Sequence, residues 1–353
     1  MINPFRCNRL AGHISYLAND EVAPHPWDKS YYLTKDTKSR TLRGLANSCL
    51  HRGYRFVDKR QKLTPGEALY CEFHAWTYDR GGKLLTTPGF DKEVTCRKLP
   101  ELDLIDVNGF FFDSQSLKPG AASSIAKFFD VPEVSQIWLD DYMMFDESAT
   151  SYSVGWRTFM EIYLDGYHVK PFHPGLGTYL NCDYMYWHFG DEFSLQVNDL
   201  CAPGTVFPSN TTWNEFYDEV RRVGWDEKWG AMFGTIYPGL MIEFYPHLFV
   251  ISQLVPTSGT SVVNHVQLYA DAVVADDAAY KAAFIKGYIE TAREDGDLQD
   301  LLEAGRTGWY DIKSLPAHGQ FEAGVKHLEA WEAKQARIPE FTKNGEPIYS
   351  DER

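Results

Sequence analysis

Cysteine is scarce in this chain: six residues in 353, at Cys7, Cys49, Cys71, Cys96, Cys182 and Cys201. Such scatter excludes the disulfide scaffold of a small secreted domain and fits a reducing compartment. Cationic side chains are also in deficit. Lysine and arginine number 34 against 49 aspartates and glutamates, for a formal charge of -15, and they are dispersed, which argues against a nucleic-acid or anionic-membrane surface. Long apolar runs are missing too. The N-terminal residues lack the apolar stretch of a signal peptide, and the segment from Gly239 to Val255 is broken by Glu243, Pro246 and His247, so a soluble cytoplasmic protein is expected. No glycine-rich dinucleotide fingerprint follows a strand, and there is no internal repeat or low-complexity segment.

What is present is enough apolar residue, 44%, for one large or two ordinary cores. Residues 1–112 read as β-rich. Short runs at Tyr31–Thr34, Leu42–Ala46 and Ala68–Phe73 are separated by Gly, Pro, Asp and Lys clusters, which suits a small sheet or barrel-like module. A Ser/Gly/Pro/Lys-rich stretch over 113–124 marks the connection to a second unit, 113–353. There Trp156–Val169 reads as a helix ended by Pro171, Leu240–Leu254 and Ser261–Ala270 as antiparallel strands, and Asp276 to about Ala304 as a long helix. Strands with segregated helices define an α+β fold.

Two constellations carry chemistry. In the first, Cys49-Leu-His51-Arg-Gly53 and Cys71-Glu-Phe-His74-Ala-Trp76 each offer a thiolate and an imidazole. Two such knuckles let one iron take the thiolates and the other the imidazoles, an arrangement that raises a cluster's potential above that of all-cysteine ferredoxins. Tetrahedral zinc is the alternative for two Cys and two His, although zinc fingers order their ligands Cys, Cys, His, His. In the second, Glu161-Ile-Tyr-Leu-Asp165-Gly-Tyr-His168-Val-Lys-Pro-Phe-His173 places Asp165 and His168 three apart, on one face of a helix. Two neutral imidazoles with one carboxylate make the facial triad of oxygen-activating ferrous sites; two ordinary histidines beside a turn are the plainer reading.

Both runs resemble the motifs of Rieske oxygenase alpha subunits, the aromatic-ring-hydroxylating family. The resemblance implies an all-β Rieske domain followed by a helix-grip α+β catalytic domain. It implies that Cys49 and Cys71 bind one iron of a [2Fe-2S] cluster, His51 and His74 the other, and that His168 and His173 bind a mononuclear Fe(II). The loop between the knuckles, residues 52–70, is somewhat longer than is typical of the family. Asp165 would link His168 to the Rieske histidine His74 of the partner subunit rather than bind metal. The third iron ligand would come from the late acidic helix, Arg293-Glu294-Asp295-Gly296-Asp297; Asp295 is the choice, with Glu294, Asp297 and Asp300 as neighbours in the same run.

The resemblance further implies a terminal oxygenase, assembled as a homotrimer. It would use O2, with electrons from NAD(P)H arriving through a ferredoxin or flavin reductase, to mono- or dihydroxylate a small, aromatic organic substrate. Oxidative N- or O-demethylation is the alternative within the family, and a Rieske electron carrier without oxygenase activity the alternative outside it. Cys182 and Cys201 read as core residues, and His13, His25, His188, His247, His265, His318 and His327 as structural or surface histidines. The aromatics between Tyr184 and Tyr245 suggest a partly aromatic pocket, most of them individually being core.

Overall fold

The computed structural model describes residues 7–36, 39–63, 67–90, 95–202, 212–306 and 317–335, with the backbone of 340–341 and 347–348. The chain forms two compact units. One comprises residues 8–147 with 269–272, and the other residues 148–268 and most of the C-terminal part.

The first unit is built on short strands: β1 Leu10–His13, β2 Glu21–Pro24, β3 Tyr31–Asp36, β4 Thr41–Ala46, β5 Gln61–Lys62, β6 Leu69–Tyr70, β7 Thr77–Tyr78, β8 Leu84–Thr86, β9 Glu101–Leu102, β10 Leu104–Val107 and β11 Phe110–Asp113. They pair as a five-stranded sheet, β5-β2-β3-β4-β9, and two three-stranded sheets, β1-β11-β10 and β6-β7-β8. The long strands β3 and β4 bury residues on both faces, Tyr32, Leu33 and Thr34 in succession on β3 and Leu42 and Leu45 on β4, so strict period-two alternation gives way to a module packed on both sides. The boundary expected near 113 falls instead at 147/148. The reason is packing: helix α1, Ala121–Phe129, followed by the short α2, Pro132–Ser135, buries Phe128 and Phe129, and the latter ring lies 5.0 Å from Phe110 of β11. Arg60 then ties Glu147 to the same unit, with Nε 2.9 Å from its carboxylate.

The second unit carries a seven-stranded sheet. Its strands are β12 Met143–Tyr152, β13 Leu180–Phe189, β14 Phe193–Leu200, β15 Trp229–Ile236, β16 Leu240–Tyr245, β17 Leu248–Ser258 and β18 Ser261–Ala270, in the order β12-β18-β17-β16-β15-β14-β13. Pairing from β13 through β17 is antiparallel. The stretch expected as one strand over Leu240–Leu254 is a tight hairpin, turning at Pro246 and at His247, whose φ is +60°. Around the sheet lie α3 Trp156–Tyr163, α4 Val169–Phe172, α5 Leu176–Tyr179, α6 Thr212–Val223, α7 Ala278–Arg306 and α8 Ala323–Gln335. Helices segregated on an antiparallel sheet make the α+β architecture. Among the described residues no helix is long and apolar enough to cross a membrane.

Candidate active site

The two knuckles of the first unit are built alike. In each, the cysteine carbonyl accepts from the amide four residues on, Gly53 or Ala75, at 2.8 and 2.9 Å. The cysteine amide in turn donates to the carbonyl five residues on, Tyr54 or Trp76, again at 2.8 and 2.9 Å. The residue at the fourth position takes a left-handed backbone, φ +75° at Gly53 and +61° at Ala75, which explains the glycine in the first motif. Asn47 anchors the chain leaving the first knuckle: its Nδ2 donates to the Lys29 and Val57 carbonyls, and its Oδ1 accepts from the Phe56 and Val57 amides.

Cys49 and Cys71 are buried among Leu45, Val57, Leu69 and Tyr78, whereas His74 is exposed. The His51 and His74 rings lie 4.5 Å apart, with His51 stacked on Trp76 at 13° between planes. Burial pushes the Cys71 thiol up and the adjoining Cys49 adds to this, against amides of His74 and Phe73 that donate to its sulfur. His51 Nδ1 is buried without a hydrogen-bond partner among the described residues. Two adjoining buried thiols and an orphaned imidazole nitrogen, all on facing loops, suit a cluster's donor set.

In the second unit the chain departs from the expected single helix. Helix α3 ends at Tyr163, the Leu164 amide closing onto the Met160 carbonyl at 2.9 Å. Gly166 then passes so close to the sheet that a Cβ would lie 2.9 Å from Met185 Cε. Pro171 does not end a helix; it sits in the first turn of α4, where the missing N–H is unneeded anyway. Asp165 is therefore a turn residue. Its Oδ1 accepts from the Tyr167 amide at 2.6 Å, and its Oδ2 accepts from His168 Nδ1 at 3.3 Å.

The outcome is a convergence of three ligating atoms. His168 Nε2 and His173 Nε2 face each other at 3.1 Å, and Asp295 Oδ1 of α7 lies 3.4 and 2.9 Å from them. These atoms could hold one metal ion, and two imidazoles with one carboxylate suit ferrous iron with open positions. Each imidazole is oriented from behind, His168 by Asp165 and His173 by Glu294, whose Oε2 accepts from Nδ1 at 2.7 Å; such partners fix the ring and its tautomer. Burial opposes charge on His168, but hydrogen bonds to Asp165 and Asp295 outweigh it and raise its pKa to about 9. His173 is raised in the same way. Burial likewise opposes ionisation of Asp295, and the two imidazoles prevail and hold its carboxyl below the usual range. The site is one in which positive charge is stabilised.

Asp165, His168, His173 and Asp295 all line a cavity of about 500 Å³. Its wall follows the periods of its elements: Ser148, Thr150 and Tyr152 on β12, Met241, Glu243 and Tyr245 on β16, and Tyr288, Ala292, Asp295 and Gln299 along one face of α7. Of the aromatics singled out in the sequence, Phe233 and Tyr245 reach this wall. Phe193, Tyr237 and Phe244 are core, while Tyr184, Tyr186 and Phe189 are exposed. Glu243 and Gln299 went unread as site residues, although Glu243 falls in step with Met241 and Tyr245 on one strand face.

Comparison with known proteins agrees with both halves. Residues 10–103 match the Rieske [2Fe-2S] domain, and residues 139–337 match the ring hydroxylating alpha subunit (catalytic domain). The chain belongs to the Rieske oxygenase alpha-subunit family and is an oxidoreductase with the cofactors of that family, a Rieske cluster and a mononuclear iron. It is 30% identical, over 90% of its length and 87% of the relative's, to the putrescine 2-hydroxylase of Ralstonia nicotianae. It is 33% identical to the putrescine 2-hydroxylase of Bordetella bronchiseptica over 75% of its own length, spanning 61% of that relative. A solved structure of the quaternary ammonium Rieske monooxygenase CntA shares the fold, with TM-score 0.71 and 17% identity over 93% of this chain and 87% of that one.

Proposed function

We propose that this chain is the terminal oxygenase of a multicomponent monooxygenase that hydroxylates an aliphatic C–H bond of a small amine. The observation that carries the reading is the His168, His173, Asp295 convergence opening into a largely apolar cavity. The net change would be R–H + O2 + 2 e⁻ + 2 H⁺ → R–OH + H2O, the electrons coming from NAD(P)H through a ferredoxin or flavin reductase. Because the two relatives are named for hydroxylating putrescine, a saturated diamine, the reading moves from the aromatic substrate and dihydroxylation expected from the sequence to aliphatic monohydroxylation.

Cys49, Cys71, His51 and His74 would hold the cluster, and His168, His173 and Asp295 the iron. The bound iron supplies dioxygen activation. The protein's part is positional. Asp165 and Glu294 hold a proton on each Nδ1, so that both Nε2 atoms stay free to ligate, and Asp165 serves as a positioning residue rather than a ligand. In the trimer expected from the family resemblance, Asp165 would also meet His74 of the partner subunit. The largely apolar wall would lower the polarity around the reacting carbon.

The test is metal content. Anaerobically purified protein should hold about three irons and two acid-labile sulfides per chain and give a reduced-Rieske resonance. Asp295→Ala should lose about one iron and all activity while keeping the cluster spectrum. Wild-type iron content in that variant would transfer the ligand role to another carboxylate, and a colourless zinc protein would sink the reading.

A further inference from the structure

Among the described residues that line the cavity, Glu243 is the one carboxylate that neither joins the metal convergence nor orients one of its imidazoles. It lies at the middle of β16, 4% exposed, opposite Phe233 and Val250 of the neighbouring strands. Its carboxylate accepts from the Tyr245 hydroxyl at 2.9 Å and from the Tyr288 hydroxyl of α7 at 3.5 Å. Tyr163 of α3 and Asp295 of α7 are the other titratable groups that act with it, and among the described residues no cation is one of the groups that set its charge. A carboxylate this deep is ordinarily paired with a cation. Elsewhere in the wall of the same cavity, the buried Gln299 Oε1 has no donor among the described residues. The cavity thus offers acceptors in excess, framed by tyrosine rings that also favour a cation.

We propose that Glu243 anchors the substrate's ammonium group: the protonated amine pairs with this carboxylate while the carbon to be oxidised reaches the His168, His173 and Asp295 end of the same cavity. The proposal rests on the oxygenase reading and specifies its substrate as a small aliphatic amine held at the nitrogen. The free site has a matching property. Burial, with a contribution from Asp295, raises Glu243 to about 7 against the two tyrosine hydroxyls that favour its ionised form. Without a ligand it is largely neutral below that pH, and a bound ammonium stabilises the ionised form. Amine binding should therefore release a proton below neutrality and tighten with rising pH up to about 7.

The experiment is calorimetric titration of putrescine, and of butanediol as a neutral match, into the anaerobic holoprotein and its Glu243→Gln variant. Each titration is run near pH 6 and near pH 8 in buffers of different ionisation heat. Truncating one partner of a buried charge pair weakens binding on the order of 30-fold or more, so the variant should lose that much affinity for putrescine and none for butanediol. The wild type should release about one proton per putrescine at about pH 6, with affinity rising up to about tenfold per pH unit below 7. The proton count needs no variant and so stands whether or not Glu243→Gln folds. Equal putrescine affinity in both proteins, or binding to wild type without proton release, overturns the proposal and leaves the oxygenase reading intact, provided iron and sulfide are at full content. Absence of iron and sulfide from the wild type would instead overturn the reading beneath it.

Discussion

Tyr78 shows how one side chain adjusts the proposed cluster site. Its hydroxyl lies 3.3 Å from Cys49 Sγ and accepts from the Leu50 amide at 3.0 Å, so its proton is directed at the sulfur. Hydrogen bonds to cluster sulfurs raise the reduction potential by stabilising the more negative reduced state. A neutral hydrogen bond contributes about 1 kcal/mol net, and for one electron this corresponds to roughly 40 mV. Tyr78→Phe should therefore lower the cluster potential by roughly 20 to 60 mV without loss of iron. Redox titration followed by electron paramagnetic resonance measures this, and an unchanged potential would remove Tyr78 from the site. The proposed ligands were legible because each is a residue type fixed by chemistry at a short spacing. Tyr78 was not: it lies on β7 and meets Cys49, in the loop after β4, across 29 residues of chain, a contact that no local pattern announces.

At the scale of elements, strand and helix periods were readable while the breaks between them were not. Helix α7 appears as one span close to the expected one, and the runs around Tyr31, Leu42 and Ser261 are strands. The break after Tyr163 escaped notice because its cause is tertiary: Gly166 has to approach Met185 and Gln196 of the sheet, and a glycine flanked by Asp and Tyr carries no sign of that. Two glycines of α7 separate the same causes. At Gly287 a Cβ would lie 2.9 Å from Trp213 Cδ2 of α6, whereas at Gly296 the nearest atom is Tyr152 Cε1 at 3.8 Å. Alanine gains about 1 kcal/mol of helix propensity at either position, while overpacking against a buried indole costs about 1 to 3 kcal/mol. Gly296→Ala should stabilise the protein by up to about 1 kcal/mol, and Gly287→Ala should give no gain and destabilise it by up to about 2 kcal/mol. Urea unfolding midpoints decide between these signs, and stabilisation by both would show that α6 and α7 do not meet this closely.

For the whole molecule, the sequence located two functional units but set their border by composition, and the Ser/Gly/Pro-rich stretch turned out to lead into α1, which packs its phenylalanines on the first unit. That unit also contains two histidines read as merely structural, and their burial gives it a defined response to acid. His13 is fully buried between Phe110 and Tyr269, with ring centroids 4.7 and 5.6 Å away, and burial, helped by Lys35, lowers its pKa to about 3. Burial lowers His25 to about 4, the nearby Asp28 opposing and Arg9 assisting; its Nδ1 accepts from the amides of Trp27 and Asp28. Both groups are neutral in the folded state and protonate in the unfolded chain near the ordinary 6.5. Their effect on stability is therefore nil above that pH, and below it stability falls as protons bind the unfolded chain, until the folded pKa values of about 3 and about 4 are reached. At about pH 5 each should cost about 2 kcal/mol. In denaturant unfolding at about pH 7 and about pH 5, read through the cluster's visible absorbance, the two histidines together should take about 4 kcal/mol from the stability, while Glu243, whose pKa is raised in the folded state, works in the opposite sense. His13→Phe, which extends the Phe110 and Tyr269 packing and cannot titrate, should be about 2 kcal/mol less sensitive to this acidification than the wild type. An identical pH dependence in the variant would assign the acid sensitivity to other groups.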